Sequence, residues 1–142
     1  MRTFLTPLRR PAGQRHVLRN ERTQAIIADE LLPAFDSETR RTGLLKHTSL
    51  GPRTAMVIAP TNAIHTFFMK FPIDVAFVAK DGRIVKIARA LPAWRLAAAW
   101  GAYAVVEMAA GAFSNADTHA GDTVSIVALA EARPGPIQEG HA

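Results

Sequence analysis

Cysteine is missing from all 142 residues. That removes disulfides, thiolate zinc sites, iron–sulfur clusters and cysteine nucleophiles, and leaves packing alone to hold the fold. Long apolar runs are missing too: none reaches the roughly 18 consecutive residues of a membrane helix, so a soluble chain without membrane insertion is expected. Aromatic residues are sparse, at 7%. No G-x-S-x-G elbow, phosphate-binding loop, G-x-G-x-x-G or H-E-x-x-H stretch occurs. Of the five histidines, His16 and His141 fall toward the ends, and His47, His65 and His119 lack the i, i+2 or i, i+4 spacing of metal ligands. No metal and no cofactor is therefore expected. At the arginine-rich start, Arg9 and Arg10 are followed by Pro11, Gly13 and Gln14 where an export signal carries an apolar stretch, so a cytoplasmic location is expected.

What is present points to one domain. A chain of this length buries roughly two-thirds of its unfolded surface around one core. The net charge of +5 is the balance of four blocks of alternating sign: residues 1–22 and 40–95 are basic, 23–39 and 96–142 acidic. Such a pattern brings opposite charges together in a fold as readily as it displays a basic face. The expected organisation is a basic, partly ordered N-terminal extension over 1–22, a single β-rich domain over 23–130, and a loose tail over 131–142, which Pro134, Gly135 and Pro136 interrupt.

Within the domain, Val17–Arg19 and Ala25–Ala28 flank a polar "NERTQ" that suits a hairpin turn. "DSETRRTGLL" predicts one short helix, with Asp36 or Ser37 as cap, Glu38 in the first turn and Gly43 at the end. "TAMVIAP", "YAVVEM" and "TVSIVALA" read as strands. The clearest hairpin is Ile73–Val78 returning through "KDGR" to Ile84–Ala88, since both arms alternate and Asp-Gly suits the tight turn between them. Six to eight short strands with one or two short helices predict a small, mostly antiparallel β barrel or sandwich.

The stretch "IHTFFMKFPID", residues 64–74, sets polar groups among large apolar ones. Read as a strand, His65–Met69 is apolar on both faces and so central, with His65 beside the core; Pro72 then breaks it. Asp74 falls on the face opposite Ile73, Val75 and Phe77. A buried imidazole or carboxylate must find partners or shift its pKa, and backbone hydrogen bonds are the economical answer for both. The functional alternative has His65, Thr66, Lys70, Asp74 and Arg95 converging at a cleft floored by Phe67 and Met69 and walled by Trp94. Glu107 reads as the partner of a basic residue across the sheet, and Met56, Met69 and Met108 as core filler.

The blocks "RRTGLLKHTSL", "IHTFFMKFPIDVAFVAKDGRIVKIARAL", "PAWRL", "VVEMAAG" and "HAGDTV" resemble the bacterial and archaeal domain-of-unknown-function 192 family over roughly residues 24–128. The resemblance is to a short, cytosolic, single-domain bacterial branch. It implies a small β-rich fold and no particular reaction or ligand. Met108 and Ala109 stand where the family pattern has Leu-Pro.

Three functions stay open at this point. The favoured one is a non-enzymatic binding or accessory module with a small-ligand or peptide cleft near residues 65–74 and 94–95. The second is a hydrolase-like enzyme using His65 with Asp74 as acid/base, although no nucleophile or oxyanion site accompanies them. The third and weakest is nucleic-acid binding through the basic segment 40–95, with Trp94, Tyr103 and Phe71 as stacking surfaces. The expected partner is a small ligand or a protein, and the expected state a monomer or weak homodimer.

Overall fold

A computed structural model of the chain describes residues 2–9 and 13–132. Ten strands and three short α-helices follow one another: β1 His16–Asn20, β2 Ile26–Ala28, β3 Glu30–Ala34, α1 Ser37–Thr42, β4 Thr54–Ile58, β5 Ala63–His65, β6 Ile73–Val78, β7 Ile84–Leu91, β8 Leu96–Ala98, β9 Ala104–Ala109, α2 Ala112–Asn115, β10 Val124–Ala128 and α3 Leu129–Ala132. The strands form a three-stranded sheet (β10-β1-β2), a five-stranded sheet (β3-β4-β9-β6-β7) and a two-stranded arm (β5-β8). Of the two expected architectures the sandwich holds: the sheets do not close into a barrel. No helix among the described residues is long and apolar enough to cross a membrane.

Strand parity creates two cores. Ala76, Val78, Val106 and Met108 from the five-stranded sheet meet Leu18, Ile27, Val124 and Ile126 from the three-stranded one in the first. Ile73, Val75, Phe77, Met56 and Val105 point to the opposite face and form the second, covered by Leu44 and by Ile64 and Ala97 of the arm. Every residue of β6 is buried, which is what a strand apolar on both faces requires.

Local chemistry explains the best-defined elements. The β6–β7 hairpin forms as its alternation predicts, with Val78 opposite Ile84. At its turn Gly82 has φ +95°, and a Cβ there would stand 2.2 Å from the Val124 carbonyl oxygen, so glycine is required twice over. The "NERTQ" hairpin joins β1 to β2 as expected. In α1, Asp36 caps by accepting from the Thr39 amide at 2.8 Å, and the Gly43 amide closes the end on the Thr39 carbonyl.

The structure departs from the expectations at four places. The segment read as an extension is built in: Leu5 is fully buried, and β1 is the middle strand of its sheet, so the folded unit starts before residue 23. β3 adds a parallel pair beside β4, set by Leu31 and Leu32 covering one core each. The last strand stops at Ala128 and continues as α3, and the rest of the expected tail, from residue 133, lies outside the described residues. His65–Met69 is not a strand: β5 ends at His65 and a turn follows, leaving His65 exposed rather than beside the core.

Candidate functional site

The arm is fastened by one buried residue. In β5 and β8, His65 faces Leu96 and Ile64 faces Ala97. Beyond them Thr66 gathers the two turns: its amide donates to the Arg95 carbonyl (2.8 Å), and its own carbonyl accepts from Met69 (3.1 Å) and Trp94 (3.0 Å). Its hydroxyl donates to the Pro92 carbonyl (2.6 Å) and accepts from the Arg95 amide (2.9 Å). Buried, with both backbone groups and its hydroxyl engaged, Thr66 serves the fold rather than a ligand.

That scaffold turns aromatic rings outward. Phe68 and Trp94 have φ of +65° and +68°, a region bulky side chains rarely enter. Phe67 stacks on Trp94 at 5.7 Å and lies tilted against His65 at 4.9 Å, and Phe68 meets Trp94 edge-on at 4.6 Å. The His65 ring accepts from the Phe67 amide through Nδ1 (3.3 Å).

Beneath the arm, between it and α1, lies a cavity of about 260 Å³. Leu44, Ile58, Ile64 and Met69 give it apolar walls, Arg41 and His65 stand exposed where it opens, and Glu107 reaches it from the sheet. Glu107 is only 5% exposed. Its register neighbours are Met56 on β4 and Val75 on β6, so the basic cross-strand partner expected for it is absent. Burial pushes its carboxyl up to about 7, and no hydrogen bond or nearby charge among the described residues opposes that. Arg40, also on the wall, spends its guanidinium on the Phe35 carbonyl at 2.6 Å.

The residues singled out from the sequence therefore divide. His65 and Met69 line the cavity; Phe67 and Trp94 form the aromatic stack next to it. Lys70 and Arg95 are exposed, the Arg95 guanidinium reaching, among the described residues, only the carbonyls of Ala93 and Trp94 at 3.5 Å. Asp74 is elsewhere: buried on the first-core side, its carboxylate accepts from the amides of Ala90 (2.8 Å), Gly111 (3.1 Å) and Phe113 (3.3 Å). The His65–Asp74 acid/base pair is thus not assembled, because the two side chains leave different strands and Asp74 has spent its oxygens on backbone. Met56 and Met108 are core residues. Of the proposed stacking surfaces Trp94 is the exposed one, though Phe67 and Phe68 already pack on its ring; Phe71 packs on the second core, and Tyr103 lies against Lys80 with Arg9 at its hydroxyl.

Glu107, Arg40 and Arg41 were not recognised as site residues. The available signal was that Glu107 is the single acid between Asp81 and Asp117, set inside "VVEMA".

Two solved structures share the fold. One is a putative transcription regulator (R01717) from Sinorhizobium meliloti 1021, 20% identical, with a TM-score of 0.69 over 80% of this chain and 93% of that one. The other is a protein of unknown function from Novosphingobium aromaticivorans DSM 12444, 23% identical, with a TM-score of 0.68 over 78% and 83%. At these identities the likeness concerns the fold alone. No curated protein matches the chain. Residues 18–126, from the middle of β1 to the middle of β10, match one family across both cores and the arm, and on that match the chain belongs to the domain-of-unknown-function 192 family (DUF192, Uncharacterized ACR).

Proposed function

We propose that this protein is a small-molecule binding module whose site is the cavity under the β5–β8 arm, and that its ligand presents an amine or guanidine to Glu107. The observation that carries this reading is an unpartnered, buried carboxylate facing an open cavity. Buried carboxylates are ordinarily hydrogen-bonded, and one left alone beside space for a ligand is a group waiting for a donor. A cation there gains a charge-assisted hydrogen bond in low dielectric, worth about twice a neutral one. The apolar walls take the body of the ligand, and Arg41 and His65 meet whatever polar end faces the mouth.

Size favours one of the two ligand kinds left open by the sequence. At about 260 Å³ the cavity sits just under the lower end, about 300 Å³, of ordinary small-ligand pockets. It suits a compact amine better than a peptide segment.

The test is a thermal-shift screen of primary amines, guanidines and amino acids, each beside a neutral isostere, on wild type and Glu107→Gln. A cationic compound that raises the wild-type midpoint by a few degrees, with no shift from its isostere or in Glu107→Gln, is the expected result. Equal shifts from neutral isosteres, or a shift retained in Glu107→Gln, would remove the carboxylate from recognition.

A further inference from the structure

The arm has a second face, and it is uncovered. Ile64 and Ala97 turn inward to the second core, so Leu96 and Ala98 turn outward, while Ala63 and His65, exposed as well, edge the mouth of the cavity. Phe68 (68% exposed) and Trp94 (58%) stand at one end of this face, Leu96 (74%) lies on it, and Trp100 (97%) stands at the other end. Both tryptophans of the chain are therefore here. The left-handed backbone at Phe68 and Trp94, over-determined by the Thr66 bonds, is what keeps two of these rings in water.

The charge around this face has one sign. Residues 39–73 and 82–106, which build the arm and its flanks, contain no Asp or Glu. Lys70 and Arg95 beside the aromatic end are exposed and make no ion pair among the described residues, and Lys86 reaches over to the Ala98 carbonyl at 2.9 Å.

We propose that the outer face of the β5–β8 arm docks on an anionic lipid surface, with Trp94 and Trp100 at headgroup depth and Lys70 and Arg95 on lipid phosphates. Indole rings prefer that depth because one edge is apolar and the other donates a hydrogen bond. Basic side chains near an anionic leaflet each add a further increment of attraction. The contact is superficial and needs no spanning segment.

Two other occupants fit less well. A second copy of the chain would bring the same face, whose segments 39–73 and 82–106 offer no carboxylate to pair with Lys70 or Arg95, so like charge opposes association. A stable protein partner asks for about 800 Å² on each side. Two paired strands of three residues, at about 3.3 Å per residue and about 4.8 Å apart, present a far narrower strip. A lipid surface makes no demand for complementary shape.

Because both tryptophans lie on this face, tryptophan emission, excited selectively over Tyr103, reports on it. The experiment adds phosphatidylcholine vesicles, with and without phosphatidylglycerol, and follows emission together with co-sedimentation. The expected result is a blue shift with phosphatidylglycerol vesicles only, and about a tenfold loss of vesicle partitioning in Leu96→Ser/Trp100→Ser at an unchanged melting midpoint. A protein this basic will also cling to anionic vesicles by charge alone. Co-sedimentation without a blue shift, or partitioning untouched by the double variant, would therefore overturn the proposal. A blue shift produced equally by soluble polyglutamate would overturn it in favour of an acidic protein partner.

Discussion

Two buried carboxylates stand one register position apart in the same sheet and live in opposite circumstances. On β6 Asp74 pairs with Met108 of β9, and the next pair along is Val75 with Glu107. Asp74 points to the face closed by the second sheet and by the 111–113 turn, where three amides converge on it. Glu107 points to the face covered by the arm and α1, where no donor among the described residues reaches it and a cavity remains. The two acids are alike in burial and differ in what folded over them. The closed face uses its carboxylate as internal mortar, tying a turn and the end of β7 to the sheet. The open face keeps its carboxylate available.

The comparison breaks most visibly at Asp74. Asp74→Ala strands three backbone amides, and at about 1–3 kcal/mol for each one left unsatisfied a total destabilisation of about 3–9 kcal/mol is expected in urea unfolding. Glu107→Ala removes no hydrogen bond, and at acidic pH it should lose far less. Similar losses at the two positions would mean that the Asp74 amides find other partners and that the contrast is false.

Glu107 has the next largest effect, and it appears as a pH dependence. Its carboxyl titrates near 4.5 when unfolded and is pushed up to about 7 in the fold. Below the lower value both states are protonated and burial is harmless. As pH rises past the upper value the folded chain must hold a buried charge, so stability is present at low pH and falls on the way to neutrality, by on the order of 3 kcal/mol. Asp122, held well below the usual carboxylate range by its hydrogen bond from Arg22, acts in the opposite direction and only in stronger acid. The difference between wild type and Glu107→Gln from about pH 5 to pH 8 isolates Glu107, because the histidines are common to both: the wild type should lose stability relative to the variant across that window. A wild type that runs parallel to the variant would place an unseen donor on the carboxylate.

The contrast between these acids was not legible in the sequence. "IDVAF" and "VVEMA" each show one acid inside an apolar strand. Parity places Asp74 opposite Ile73, Val75 and Phe77, but which face ends up closed depends on chain more than thirty residues away. Elements written in local chemistry were legible: the β6–β7 hairpin in its alternation and Asp-Gly turn, α1 in Asp36 and Gly43. The arm was not, because three-residue strands carry no period and His65 finds its partner at Leu96. The turn after His65 was hidden for a related reason, since its positive φ falls on Phe68 where no glycine announces it. Among the site residues, His65 and Met69 were found from a run of unusual composition, whereas Arg40 and Arg41 come from a helix that only tertiary packing sets against β9 and the arm.

The smallest predicted effect sharpens the comparison at the cover itself. If the open face is open because its lid is a thin arm, that lid must hang on few bonds, and Thr66 supplies the central ones. Thr66→Ala deletes the hydroxyl links to Pro92 and Arg95 and should destabilise by about 1–2 kcal/mol, with Thr66→Ser restoring most of it. The more telling readout is local. Amide hydrogen exchange at Met69 and Trp94, which donate to the Thr66 carbonyl, should speed up in the alanine variant while Val75 and Val106 in the sheet keep their protection. Loss spread evenly over arm and sheet would show that the arm opens only when the whole domain unfolds. The cavity over Glu107 would then be a fixed hollow, filled and emptied through its mouth alone.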